Sequence, residues 1–200
     1  MDVLCLDLEG VLIPEIWQAV AGRTGIEELN KTTRDIPVYD DLMNLRLGVL
    51  RERDLSLSLI QEVIDEVEPL PGANDFLNWA RQFFQVVIIS DTFYQFAMPL
   101  MAKLGHPTLL CHQLDVEKDR IVGYRIRQPD PKRCSVQAFR SLRYRVFAAG
   151  DSYNDVSMLD EADAGFFYRA PANVRSEFPQ YQAAESYGEL QQLLDQARRN

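Results

Sequence analysis

Val3-Leu4-Cys5-Leu6-Asp7-Leu8-Glu9-Gly10 is the stretch whose reading decides the fold. Its apolar residues run on without polar alternation, as in a strand buried on both faces. The run Val3 to Leu8 therefore reads as a buried strand whose C-terminal end opens, at two acids and a glycine, into a loop. Two further runs have the same form. Gln85 to Ile89 closes with Ser90-Asp91-Thr92, and Arg145 to Ala149 closes with Gly150-Asp151-Ser152. Ala164 to Tyr168 is a weaker fourth. Helical patterns separate them, at about residues 73–83, 95–104, 132–142 and 155–161. Strands alternating with helices imply an α/β fold with a Rossmann-like parallel sheet. Ligands in such sheets sit beyond the carboxyl ends of the strands. Each of the three best strands delivers an Asp to that edge.

Two stretches break the rhythm. Residues 12–72 carry helical patterns (Glu15 to Arg23, Val38 to Arg53, Leu57 to Val67) and no convincing strand, and they end in the breaker Pro69-Leu70-Pro71-Gly72. They read as a helical cap inserted after the first strand, leaving 1–11 and 73–200 as the core. A cap over the sheet edge would exclude water and select the substrate. Residues 109–127 read as a small β-hairpin excursion, Leu109 to Leu114 and Ile121 to Arg127 around the turn Glu117-Lys118-Asp119-Arg120. Tyr187 to Arg199 reads as an amphipathic C-terminal helix.

The chain has 200 residues and a formal net charge of -9, so it lacks the basic footprint that nucleic-acid binding needs. The same charge opposes an anionic phosphorylated substrate. Such a ligand would require a divalent cation and local Lys or Arg groups to reverse the field. Cys5, Cys111 and Cys134 fit no zinc spacing and read as reduced thiols of a cytoplasmic protein. No stretch approaches the roughly 20 apolar residues of a membrane span. The N-terminus lacks a basic leader segment, and Asp7 and Glu9 interrupt its apolar run.

The chemistry-bearing residues cluster at the strand ends. Asp7, partly desolvated after a buried strand, suits a nucleophile toward phosphorus. Glu9, whose pKa desolvation and a like-charged neighbour can raise, suits a general acid and base; alternatively, the two acids are an ordinary pair on an exposed loop. Ser90 can hydrogen-bond a phosphoryl oxygen; alternatively, Asp91 or Thr92 of that cluster caps a helix. Asp130-Pro131-Lys132 has the form of a helix start. Lys132 there opposes the helix dipole, and reads either as a fixed ammonium balancing phosphate and carboxylates or as a solvated lysine. In Gly150-Asp151-Ser152-Tyr153-Asn154-Asp155, Asp151 can join Asp7 around a hard ion such as Mg²⁺. Asp155, one turn on, can hold a metal-bound water or orient Lys132. The alternative for that motif is an Asx-type turn. His106 and His112 lack ligand-spaced partners and read as structural; Trp17 and Trp79 read as packing residues.

Asp7-Leu8-Glu9-Gly10-Val11, Ser90, Lys132 and Gly150-Asp151-Ser152-Tyr153-Asn154-Asp155 occur in the order found in the haloacid dehalogenase-like phosphohydrolases, which the chain resembles over nearly its whole length. Within them it is similar to the phosphoserine phosphatases, above all to the bifunctional ThrH-like branch, which also passes the phosphoryl group to homoserine. Cys5 to Val11, Thr32-Thr33-Arg34-Asp35-Ile36-Pro37, Ser90 to Tyr94 and Ala148 to Asp155 carry that likeness. The resemblance implies Mg²⁺ held by Asp7, the Glu9 backbone carbonyl and Asp151, with Asp155 behind them. It implies an aspartyl phosphate on Asp7, proton transfer by Glu9, and phosphate binding by Ser90 and Lys132. Asp91 and Asn154 would contact the substrate, and Glu15 and Arg46 would take its amine and carboxylate. Glu9 stands where most of the superfamily has a second Asp, a mark shared with the bifunctional branch. The expected activity is thus a phosphoserine phosphatase with homoserine phosphotransfer. The alternatives are a phosphatase of another small phosphomonoester and a non-catalytic binding module on the same fold.

Overall fold

The structure, a computed structural model, describes residues 2–32, 35–36 and 38–199. Seven strands form one sheet in the order β4-β3-β2-β1-β5-β6-β7. The apolar run that opens the chain becomes β1 (Asp2–Leu6), which pairs in parallel with β2 (Phe84–Phe93) on one side and β5 (Arg145–Gly150) on the other. It is thus buried among neighbours at the centre, as its unbroken hydrophobicity requires. β6 (Ala164–Tyr168) and β7 (Gln182–Ala184) continue the parallel order.

The helices between strands are α4 (Ala73–Ala80), α5 (Tyr94–Lys103), α6 (Pro131–Ser141), α7 (Val156–Glu161) and α8 (Ala172–Glu177), and α9 (Tyr187–Arg199) closes the described chain. Two separate apolar clusters result. A large one holds Leu4, Leu6, Phe76, Phe96 and Leu190, and a smaller one holds Val3, Cys5, Val136 and Phe167. Alternate residues of β1 thus feed opposite faces of the sheet. Residues 12–72 supply α1 (Ile16–Thr24), a 3₁₀ turn (Glu27–Asn30), α2 (Tyr39–Glu52) and α3 (Leu57–Asp65). Their apolar sides join the larger cluster through Trp17, Leu47 and Ile60. Trp17 packs edge-on against Phe96 at 5.4 Å, as a packing residue should. Among the described residues no helix is long and apolar enough to cross a membrane.

Residues 109–127 form the expected hairpin, and it is built into the main sheet. β3 (Thr108–Glu117) pairs antiparallel with β4 (Arg120–Arg125) but also in parallel with β2, so the pair extends the main sheet. The turn itself was placed correctly: Lys118 and Asp119 take φ values of 46° and 65°, the left-handed pair that a tight hairpin needs. β2 does not stop at Ile89 but continues, with a register irregularity, to Phe93. Asp91 and Thr92 therefore cap no helix; α5 begins at Tyr94 with Phe93 before it. Asp130 precedes α6 with φ 44° and makes no side-chain cap. Its carboxylate instead accepts a hydrogen bond from Ser157 Oγ at 2.7 Å.

Candidate active site

β1 ends at Leu6, and Asp7 follows with its N–H on Ala149 O at 3.0 Å, still in the sheet's frame. Its Oδ1 accepts the Leu8 N–H at 2.8 Å, which locks the carboxylate at the strand's end. Behind it stands Lys132, 3.0 Å from Asp7 Oδ1 and 2.6 Å from Asp155 Oδ1. Lys132 is only 1% exposed, so it is no solvated lysine. The first turn of α6 carries it, and the two carboxylates, not the helix dipole, fix its position. Burial alone would lower its pKa, but Asp155, Asp7 and Asp91 outweigh that and raise it well above the usual lysine value. The ammonium is therefore fixed in its charged form.

Asp155 is completely buried and its carboxylate is fully engaged. Oδ1 takes Lys132, while Oδ2 accepts the N–H groups of Asp151 and Ser152 at 2.9 and 3.0 Å. Together with Ser152 this is a capping box, the actual form of the turn after β5. Asp155 thus orients Lys132 and the loop that bears Asp151. Both glycines of the site make room for carboxylates. A Cβ on Gly150 would stand 2.2 Å from Asp155 Cγ. A Cβ on Gly10, whose φ is +76°, would stand 2.5 Å from Asp151 Oδ2.

Carboxylate oxygens of Asp7, Asp151 and Asp155 lie within 4.8 Å of one another. Three acids against one ammonium leave excess negative charge in a buried place. Desolvation, then Asp155, accordingly push the Asp7 pKa well above the ordinary carboxylate value, against the pull of Lys132. A hard divalent cation is the group that such an oxygen cluster fits, and it would reverse that shift.

A cavity of about 170 Å³ opens on this cluster. Strand-end residues Asp7, Ser90, Asp91 and Asp151 wall it together with Glu15, Tyr39 and Arg46 from the helical stretch. Glu9 lines it as well. Burial first, then the charge and hydrogen bond of Glu15, push the Glu9 pKa well above the usual range, with Arg46 opposing. Arg46 is 8% exposed, lies 4.6 Å over the Trp17 ring and donates to Lys31 O at 2.9 Å. Its buried Nε has no hydrogen-bond partner among the described residues. Burial pulls its pKa down to about 10, which leaves it charged at neutral pH.

Ser90 is buried, and its Oγ accepts the Thr92 N–H at 3.2 Å. Asn154 donates from Nδ2 to Asp91 Oδ2 at 2.8 Å, and its Oδ1 meets Ser152 Oγ. Burial alone would raise the Asp91 pKa, yet Lys132, His112 and Asn154 hold it below the ordinary carboxylate range. Every candidate from the sequence is therefore gathered at one place, with Lys132 and Asp155 behind the cavity wall and the others in it. Thr33, Arg34 and Pro37 of the Thr32 to Pro37 segment lie outside the described residues.

The family model for haloacid dehalogenase-like hydrolases matches residues 11–160. The chain is also 60% identical, over 95% of its length and 93% of the relative's, to the phosphoserine phosphatase ThrH of Pseudomonas aeruginosa. The chain belongs to the haloacid dehalogenase-like hydrolase family. A phosphoserine phosphatase of Pseudomonas syringae pv. tomato is likewise 60% identical, over 95% of this chain and 81% of the relative. Among solved structures, a substrate-bound phosphoserine phosphatase complex shares the fold with a TM-score of 0.79 at 18% identity, covering 98% of each chain. A phospho-aspartyl intermediate analogue of phosphoserine phosphatase gives 0.77 at 18% identity, over 91% of each. Asp7 and Glu9 precede the span that the family model matches, so their place in the site rests on β1 and its pairing with β5.

Tyr39, in the cavity wall, and His112, just behind it, were given no role in the site from the sequence, and Trp17, read only as a packing residue, also lines the cavity beneath Arg46. Tyr39 lines the cavity and donates its hydroxyl to Asp91 O at 3.0 Å. It sits seven residues before Arg46 on α2, hence on the same face, and that spacing was the available signal. His112, read as structural, stands with Nε2 3.6 Å from Asp91 Oδ1. Nothing local in the sequence points to that contact, because it arises from the parallel pairing of β2 with β3.

Proposed function

We propose that this chain is a Mg²⁺-dependent phosphoserine phosphatase that also passes the phosphoryl group to homoserine. The observation that carries the reading is the wall of one cavity. It joins a carboxylate backed by a fixed ammonium to a buried arginine beside a glutamate. The first pair suits phosphoryl transfer, and the second suits the zwitterionic head of an amino acid. The high identity to relatives named phosphoserine phosphatase supports the same substrate.

In this reading residues 1–11 and 73–200 form the catalytic core, and residues 12–72 form a cap that brings Glu15 and Arg46 over it. The substrate carboxylate lies on Arg46 and its ammonium near Glu15. Ser90 and Lys132 bind the phosphoryl oxygens, and Asp91 and Asn154 contact the substrate beside them. An oxygen of Asp7 attacks phosphorus, the bond from phosphorus to the serine oxygen breaks, and Glu9 gives its proton to the departing oxygen. The Asp7 acyl phosphate then passes its phosphoryl group to an incoming hydroxyl whose proton Glu9 takes back. Water yields inorganic phosphate; homoserine yields its phosphate ester. The raised pKa of Glu9 suits it to hold the first proton. Asp7, Asp151 and the Glu9 carbonyl would hold Mg²⁺, with Asp155 behind them. The ion would supply charge stabilisation for the transferring group. The phospho-aspartyl analogue on a solved phosphoserine phosphatase of the same fold supports the covalent route.

The test is phosphate release from phosphoserine with and without homoserine, with phosphohomoserine followed in parallel. Release of phosphate, diverted in part to phosphohomoserine, is expected. A wild-type protein with no activity on phosphoserine but activity on another small phosphomonoester would move the substrate assignment and leave the Asp7 chemistry standing.

A further inference from the structure

We propose that His112 is a positioning residue that aims the Asp91 carboxylate into the substrate cavity, with the Arg127 backbone setting its tautomer. The inference rests on the amino-acid reading of the cavity and adds to it a residue outside the cavity wall. β3 brings His112 opposite Phe93 in the parallel ladder, where β2 is irregular and Asp91 turns into the cavity. His112 is 3% exposed, and the aromatic rings of Tyr39 and Phe93 both stand 6.2 Å from its own. In this apolar cage each ring nitrogen has one polar neighbour among the described residues. Nδ1 accepts the Arg127 N–H at 3.2 Å, and Nε2 faces Asp91 Oδ1 at 3.6 Å. A nitrogen that accepts carries no proton in the neutral ring, so the proton sits on Nε2, aimed at the carboxylate. The 3.6 Å gap is an electrostatic contact, and a shift of about 0.7 Å would close it to a hydrogen bond.

The other contacts of Asp91 show why such a partner matters. Asn154 holds Oδ2 and Tyr39 holds the backbone carbonyl, and His112 Nε2 is the group that faces Oδ1. With a partner at each oxygen, the carboxylate is held in one orientation toward the cavity when substrate arrives. Arg127 connects this anchor to the reacting centre. Its guanidinium donates to Pro131 O at 3.1 Å and to Ser135 Oγ at 2.7 Å, in the first two turns of the helix that carries Lys132. One residue thus ties His112, and through it Asp91, to the helix that carries Lys132.

The experiment compares His112→Leu and His112→Gln, each in the wild type and in Asp91→Asn, with phosphoserine as substrate. Glutamine can still present an N–H near the place of Nε2. His112→Leu should raise KM about fivefold, the loss of one hydrogen bond's net worth, with kcat held within about twofold. His112→Gln should recover most of that loss, and His112→Leu should add nothing in the Asp91→Asn background. An unchanged KM in His112→Leu, or the same rise with Asp91→Asn already present, would overturn the proposal. Nitrogen-15 NMR of the histidine ring gives a readout that needs no turnover. The proton is expected on Nε2, with its resonance moved by Asp91→Asn; a proton on Nδ1 would overturn the assignment. A wild type inactive on phosphoserine would instead count against the substrate reading, and the NMR result would still decide the His112 to Asp91 contact.

Discussion

Replacing Lys132 with Met removes a charge while keeping most of the side chain's volume. The ammonium stands 3.0 Å from Asp7 Oδ1 and 2.6 Å from Asp155 Oδ1, and neither Lys132 nor Asp155 is more than 1% exposed. Removing one partner of a buried pair leaves an uncompensated charge and costs about 3–5 kcal/mol. Here two carboxylates lose the same counter-ion, so the upper part of that range applies. For a chain of this size each kcal/mol lowers Tm by about 2–4 °C, so about 4–5 kcal/mol gives a fall of roughly 8–20 °C. Mg²⁺ should narrow the gap. A cation that binds only the folded chain stabilises it by RT ln(1 + [L]/Kd), and the variant's more negative cluster should bind it more tightly. The assay is thermal unfolding followed by circular dichroism, in EDTA and then in excess Mg²⁺. A variant melting within about 2 °C of wild type in EDTA would refute the reasoning, because so small a change corresponds to about 1 kcal/mol or less. A gap that widened in Mg²⁺ would refute the placing of the cation beside Asp7.

Three further outcomes follow from the same geometry. Arg46→Ala should raise KM for phosphoserine by at least about 30-fold, the loss of a buried charge-assisted contact, with a smaller fall in kcat; an unaltered KM would remove the basis for an amino-acid substrate. Gly10→Ala should weaken Mg²⁺ binding by about tenfold or more in a calorimetric titration, since its Cβ would stand 2.5 Å from Asp151 Oδ2 at a φ of +76°. Binding as tight as in wild type would exclude Asp151 as a ligand. Tyr39→Phe, which loses the hydroxyl donated to Asp91 O, should raise KM about two- to tenfold while the fold's Tm moves by only a few degrees.

The parallel sheet was legible because β1, β2 and β5 are buried on both faces and so are written as unbroken apolar runs. The same logic placed Asp7, Ser90 and Asp151 at one edge before any contact was known, and the structure gathers them in one cavity. What stayed illegible depended on non-local pairing. Local pattern showed β3 and β4 as a hairpin, but not that β3 would also join β2. That second pairing is what sets His112 against Asp91. The length of β2 was hidden for a related reason: Ser90-Asp91-Thr92 looks like a turn and is held in the strand by its neighbours. β7 has three residues, too few to show a period. The burial of Lys132 could not be read from Asp130-Pro131-Lys132 alone, since its partners Asp7 and Asp155 come from distant parts of the chain.

The central claim is that Asp7 carries the phosphoryl group between donor and acceptor. Wild-type protein mixed with phosphoserine and Mg²⁺, quenched in acid within the first turnover and digested, should yield a peptide containing Asp7 that is heavier by one phosphoryl group. Hydroxylamine should remove that mass, homoserine should shorten its lifetime, and Asp7→Asn should show neither the adduct nor turnover. Steady phosphoserine turnover with no adduct at Asp7, or with the phosphoryl group on another residue, would contradict the account.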